Sequence, residues 1–201
     1  MDLSPAVPSS RPLVLGSTSV YRRELLARLR LPFTVEPPGV DEAPLANEAP
    51  EQLARRLAAA KAAAVARRHP RAIVIGSDQV ADLDGEPLGK PGNHANAIAQ
   101  LRRMSGRVVV FHTALSVMCD EAGFAQHDLA PVRVRFRALA DAEIEAYLRA
   151  EQPYDCAGSA RSEGAGVALL EAIESDDPTA LVGLPLIRTC RMLRAAGLRI
   201  F

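Results

Sequence analysis

Residues Leu13 to Glu24 read Leu-Val-Leu-Gly-Ser-Thr-Ser-Val-Tyr-Arg-Arg-Glu, an apolar strand running through Ser17 and Ser19 into two adjacent arginines and a helix. Hydroxyl donors, guanidinium forks, a glycine at the turn and the unpaired N–H groups of a helix start all favour anions. A phosphate suits such a corner. The Gly-x-x-x-x-Gly-Lys-Ser/Thr phosphate loop occurs nowhere in the chain, so this corner is of another kind.

Further along, Asp78 follows a continuous apolar run and Gly76. This predicts a strand's carboxyl end, where open α/β sheets bind ligands; Gly-Ser-Asp is equally turn chemistry. Lys61 comes four residues after Leu57 and eight after Leu53, at the edge of an apolar helical stripe. Its stem can pack while its ammonium reaches water, or the ammonium can point into a cleft and meet a phosphate. Lys90 lies in Leu88-Gly89-Lys90-Pro91-Gly92, where small neighbours let a ligand approach the backbone and where an exposed loop lysine would also be at home. Asp41-Glu42 is either a solvated acidic pair or a source of oxygen ligands for a divalent ion. Ser162-Glu163-Gly164-Ala165-Gly166 reads as a flexible polar turn before a strand. The four histidines show no metal-ligand spacing, and His112 falls inside a strand, where packing or a hydrogen bond explains it. Taken together, these are the needs of nucleotide pyrophosphate cleavage: acids for a divalent ion, cations for phosphates, and a carboxylate to act on water.

The elements that must hold these groups follow from periodicity and punctuation. Strands are predicted at Pro12–Leu15, Phe33–Val35, Arg71–Ile75, Arg107–Cys119, Val132–Phe136 and Gly166–Ile173. Asp84-Gly85 signals a hairpin between Val80–Leu83 and Glu86–Leu88. Helices are predicted at Tyr21–Leu31, Glu51–Arg68, from an Asn93 cap to Met104, at Asp141–Ala150, and at Leu184–Ala196 with Pro185 in its first turn and Gly197 closing it. Strands and helices mix without strict alternation, so the class is α/β with a mixed sheet, not a doubly wound Rossmann pattern. Residues 1–11 read as a flexible tail and 12–201 as one domain.

Composition narrows the partners. Lys plus Arg and Asp plus Glu are both 24 in 201 residues. That balance argues against a nucleic-acid polymer or an anionic membrane surface, while leaving room for a local basic pocket. Cys119, Cys156 and Cys190 form no Cys-x-x-Cys pair, which fits a reducing, cytoplasmic setting. No stretch has the length and apolarity of a membrane span.

The ordered set of motifs resembles the Maf family of nucleoside triphosphate pyrophosphatases. The resemblance rests on Ser-x-Ser-x-x-Arg-Arg at Ser17 to Arg23, Val40-Asp41-Glu42, Lys61 in its Ala-rich helix, Gly76-Ser77-Asp78-Gln79 and Gly89-Lys90-Pro91. It continues through Ser105-Gly106, Ser162-Glu163-Gly164 and Gly183-Leu184-Pro185-Leu186, covering about Leu13 to Gly197. It implies a fold similar to inosine triphosphate pyrophosphatase, with a mixed sheet and two lobes around a central cleft. It also implies hydrolysis of a nucleoside triphosphate to the monophosphate and pyrophosphate, a divalent magnesium or manganese ion, and a homodimer.

Carried over position by position, the resemblance gives Asp78 as proton acceptor and metal ligand, Glu42 as a metal-associated carboxylate, and Ser17, Arg22, Lys61 and Lys90 as phosphate-binding residues. Arg23 is left as the structural member of the arginine pair. Tyr21, Gln79 and Glu163 resemble the branch that cleaves 7-methyl-GTP. That chemistry is coherent: an aromatic face attracts a methylated, cationic purine, and a carboxylate accepts from guanine's N1–H and amino group. The alternatives are a pyrophosphatase for other modified or pyrimidine nucleotides such as dTTP and UTP, or a nucleotide-binding regulator of septum formation. Gly16 and Val20 depart from the family's usual Ala and Pro, which loosens the first corner without removing a reacting group.

Overall fold

Two long strands form the spine of the computed structural model, which describes residues 11–201. They are β3 (Ile73–Leu83) and β5 (Val108–Cys119), antiparallel and in register from Val74 opposite Met118 to Asp82 opposite Val110. On one side β3 pairs in parallel with β1 (Leu13–Gly16), which pairs in parallel with the short β2 (Thr34–Val35). On the other, β5 pairs antiparallel with β6 (Phe124–Phe136), and β6 with β7 (Leu170–Glu174). A hairpin returns β4 (Glu86–Leu88) onto β3. The result is a mixed seven-stranded sheet. The helices are α1 (Val20–Ala27), α2 (Pro50–Arg68), α3 (His94–Met104), α4 (Asp141–Glu151) and α5 (Leu186–Ala195). Among the described residues, no helix is long and apolar enough to cross a membrane.

The mixed α/β class agrees with the sequence reading, but several boundaries do not. The largest correction concerns Asp78: the strand does not end before it but runs on to Leu83. Gly-Ser-Asp-Gln is turn chemistry only while its side chains are free to bond their own backbone. Here each has a partner elsewhere. Ser77 Oγ donates to Ala114 O (2.8 Å), Asp78 accepts from Lys61 (2.6 Å), and Gln79 Nε2 donates to Thr113 Oγ1 (2.9 Å).

Other elements shift for equally local reasons. Helix α1 stops at Ala27, short of the expected Leu31, because the chain turns through Arg30 at φ +55°. Strand β6 begins at Phe124, eight residues before the expected Val132; its polar first half masked it, yet it pairs with β5 throughout. The expected strand start at Gly166 is instead a 3₁₀ turn, Ala165–Leu169. Pro185 precedes the first residue of α5, and Pro50 opens α2 one residue early, where its missing N–H costs nothing. Residues 1–10 of the expected tail lie outside the described residues. Arg11 is anchored, donating to Arg71 O at 3.1 Å and pairing with Glu121 at 3.2 Å.

Alternation along β3 sorts its side chains into two faces. Ile73 and Ile75 enter one core with Leu25, Leu26, Leu184 and Leu193, while Ala81 and Leu83 enter another with Leu101, Met104, Phe136 and Leu148. Between these cores, on the same face, lie the polar Ser77 and Gln79. The opposite face packs against α2. A Cβ on Gly76 would stand 2.4 Å from Ala62 N and 2.5 Å from Ala58 O, so only glycine allows this approach. Closeness at Gly76 is what brings Lys61 of α2 within reach of Asp78.

One edge of the spine is left open. Pairing with β1 ends at Gly16 opposite Gly76, and pairing with β4 begins at Leu88 opposite Ala81. Among the described residues, the outer edge of Ser77–Val80 therefore has no strand beside it. Gly76→Ala is expected to lower stability by about 2 kcal/mol through overpacking, read as a lower urea midpoint at unchanged slope; an unchanged midpoint would contradict the close α2 contact.

Candidate active site

The open edge of β3 faces a cavity of about 830 Å³. Several segments reach it. The chain leaving β1 supplies Ser17 to Arg22, the chain leaving β4 supplies Gly89 and Lys90, and the turn at Leu181–Gly183 closes the third side. Asp78 and Gln79 line it from β3, Lys61 from α2, and Glu42 from the loop before α2. Glu163 lines it from the loop before β7, so every site residue named from the sequence meets one space.

At the centre is an ion-paired trio. Lys61 Nζ lies 2.6 Å from Asp78 Oδ1 and 2.9 Å from Glu42 Oε1. The Lys61 and Asp78 side chains are 5% and 8% exposed, so Lys61 does not snorkel to water but points inward. Asp78 Oδ2 and Glu42 Oε2 have no hydrogen bond among the described residues. The buried ammonium thus fixes one oxygen of each carboxylate and leaves the other without a bond among the described residues.

The first corner is held by short local bonds. Ser17 Oγ accepts from Ser19 N at 3.1 Å, leaving its hydroxyl proton to donate. Ser19 caps α1 by accepting from Arg22 N at 3.4 Å. Val20 falls on the first helical residue, the position where proline is best tolerated, so the serine cap supplies order that proline would otherwise give. Arg22 and Arg23 diverge: Arg23 is exposed and away from the cavity, whereas Arg22 lines it. Arg22 Nε donates to Gly183 O at 2.9 Å. Burial lowers its pKa, the carboxylates of Asp78 and Glu42 act the other way, and a guanidinium stays charged throughout.

Gly183 O also accepts from Ser77 Oγ at 3.1 Å, so one carbonyl ties α1, β3 and the turn before α5 together. The two N–H groups of Gln79 Nε2 are shared among three acceptors, Ala180 O and Leu181 O, both at 3.0 Å, and Thr113 Oγ1 at 2.9 Å. Its amide nitrogen is therefore committed to holding this turn, and only its Oε1 remains for a ligand.

Sequence reasoning missed the groups that hold the turn from behind. Asp177 is fully buried and accepts from Thr179 Oγ1 (3.0 Å) and Arg188 N (3.1 Å). Asp-Asp-Pro-Thr at Asp176–Thr179 was the available signal, since Asp and Thr flanking a proline commonly fix turns. It also missed the surroundings of Tyr21. The Tyr21 hydroxyl donates to Asp155 at 3.4 Å, and burial raises its pKa, so the ring is neutral. Nearby, burial pushes the Cys156 thiol up to about 11, making it a poor nucleophile at neutral pH. The Arg161 guanidinium lies 5.5 Å from the Tyr21 ring centroid, and its Nε is 3.5 Å from Glu163.

A divalent ion is testable against this donor set. Among the described residues no group of three or more His, Cys, Asp or Glu side chains gathers to hold a metal. Two hard carboxylates, Glu42 and Asp78, do converge, each with one uncommitted oxygen. This fits magnesium or manganese, which one or two carboxylates bind together with substrate phosphates and water.

The family described as Maf-like protein matches residues 12–196. A 7-methyl-GTP pyrophosphatase of a Polaromonas species is 70% identical over 96% of this chain and 89% of its own length. One from Albidiferax ferrireducens is 67% identical over 96% and 97%, and one from Burkholderia pseudomallei is 60% identical over 94% and 89%.

The trio yields a stability prediction. Lys61→Met is expected to cost about 3 kcal/mol, because it leaves Asp78 buried without its partner. Adding Asp78→Asn should recover part of that loss in a double-mutant cycle by urea unfolding; strictly additive effects would contradict the pairing.

Proposed function

The chain belongs to the Maf family, and on that premise we propose that it is a nucleoside triphosphate pyrophosphatase that hydrolyses 7-methyl-GTP to 7-methyl-GMP and pyrophosphate. The observation that carries the reading is the trio at the open β3 edge. Asp78 keeps one oxygen on a buried ammonium and lines the same cavity as Ser17, Arg22 and Lys90. The relatives' names support the same substrate.

In this reading Asp78 Oδ2 orients a water molecule and takes its proton as the water oxygen attacks the α-phosphorus. The bond from that phosphorus to the bridging oxygen breaks, and pyrophosphate leaves. Lys61 holds Asp78 in place through their 2.6 Å ion pair. Arg22, Lys90 and the Ser17 hydroxyl bind the phosphate oxygens on which charge accumulates. Glu42 and Asp78 would hold the divalent ion, which when bound neutralises phosphate charge and orients the chain of phosphates. The base would lie at the far end of the cavity, its cationic ring against Tyr21 and its N1–H and amino group towards Glu163. The same reading carries a homodimer, which the mass in light scattering decides.

A panel of 7-methyl-GTP, GTP, dTTP and UTP with magnesium or manganese tests the assignment by released pyrophosphate. Highest kcat/KM for 7-methyl-GTP is expected; release from none of the four sinks the enzyme reading, and preference for dTTP or UTP sinks the substrate. Asp78→Asn should retain the fold and lower kcat by at least roughly 100-fold. Tyr21→Ala and Glu163→Ala should each reduce the preference for 7-methyl-GTP over GTP by roughly five-fold; an unchanged ratio in both removes them from base recognition.

A further inference from the structure

The two groups assigned above to the base already share a partner within the chain. Arg161 places its guanidinium over the Tyr21 ring, 5.5 Å from the centroid, and its Nε 3.5 Å from Glu163 Oε1. A guanidinium and a 7-methylguanine ring are alike in what they offer this pair. Both are flat cations, and both present N–H donors along an edge. One aromatic face cannot take both, and two cations side by side repel. We infer that Arg161 is an internal competitor for the base, its guanidinium using the contacts a methylated purine would use and so setting both affinity and preference for a cationic ring. This rests on the base assignment proposed above.

Two features make the contact one that a ligand can displace. First, it is incomplete: Arg161 Nε is buried and has no hydrogen-bond partner among the described residues, because Glu163 lies at ion-pair distance without accepting. A buried donor left unmade favours any rearrangement that satisfies it. Second, an alternative acceptor is at hand, since Arg161 Nη1 already donates to Glu151 Oε2 at 3.3 Å. Glu151 ends α4 and is itself positioned by accepting from Ala165 N at 2.9 Å.

Only the side chain needs to move. The Arg161 backbone is fixed, its N donating to Tyr147 Oη (2.9 Å) and its O accepting from Gly164 N (3.1 Å). Gly166 packs directly against that backbone: a Cβ there would stand 2.4 Å from Arg161 O. The guanidinium can therefore swing from Tyr21 and Glu163 towards Glu151 while the loop stays in place. Once displaced it remains a nearby positive charge, which opposes a cationic ring more than a neutral one.

The test is calorimetric binding of 7-methyl-GMP and GMP to the whole chain and to two variants, which needs no turnover. Arg161→Met should bind 7-methyl-GMP roughly five-fold more tightly than the unaltered chain and GMP roughly two-fold more tightly, as the competing cation–π contact disappears. Glu151→Gln keeps the acceptor for Ala165 N but removes the charge that receives Arg161, so it should bind 7-methyl-GMP more weakly. Equal or weaker 7-methyl-GMP binding by Arg161→Met overturns the inference, as does failure of that variant to bind it at all. If Arg161→Met does not fold, equal or tighter binding by Glu151→Gln overturns it instead. Failure of the functional reading shows separately, as no pyrophosphate released from 7-methyl-GTP by the unaltered chain.

Discussion

A strand edge with no neighbour organises this molecule. Between the end of β1 at Gly16 and the start of β4 pairing at Leu88, no strand among the described residues covers the outer edge of Ser77–Val80. Sheets normally cover, pair or charge such an edge. Here the gap is flanked by two chain segments turning away from the sheet, and those segments carry Ser17, Arg22 and Lys90. The cavity exists because the parallel and antiparallel partners of β3 do not meet. Its polar floor exists because β3 spans two apolar cores and can be polar only between them.

Electrostatics then decides what that floor can do. A buried charge without a partner is costly. Lys61 supplies Asp78 with an opposite charge at 2.6 Å, and Gly76 is the reason Lys61 can approach. Burying the pair carries a desolvation cost that its mutual attraction only partly offsets. That cost is tolerable where the ions serve the site rather than stability. Gly183 O, accepting from both Arg22 and Ser77, and Gln79, holding the turn that bears Gly183, extend the same rigidity to the Ser17–Arg22 side of the cavity.

Much of this was legible in the chain, and the misses have physical causes. Ser17, Arg22, Glu42, Lys61, Asp78 and Lys90 each have a structural reading when taken alone, and stand out only as an ordered set of acids, cations and hydroxyls. Their convergence was not legible, since it depends on where β1 and β4 stop pairing, and pairing limits are tertiary. The strand through Asp78 was misread because Gly-Ser-Asp-Gln has turn propensity that nine cross-strand neighbours override. Strand β6 was cut short because the polar run Gln126–Asp128 hides a period that pairing with β5 enforces. Asp177 and Arg161 were overlooked because their partners are distant in sequence and invisible to local pattern.

The central claim is that the open β3 edge presents Asp78 to a water aimed at the α-phosphorus. Turnover of 7-methyl-GTP in ¹⁸O-labelled water, with both products analysed by mass spectrometry, tests it most directly. The account predicts label in 7-methyl-GMP and none in pyrophosphate. Label in pyrophosphate would place the attack at the β-phosphorus and contradict the geometry argued for Asp78.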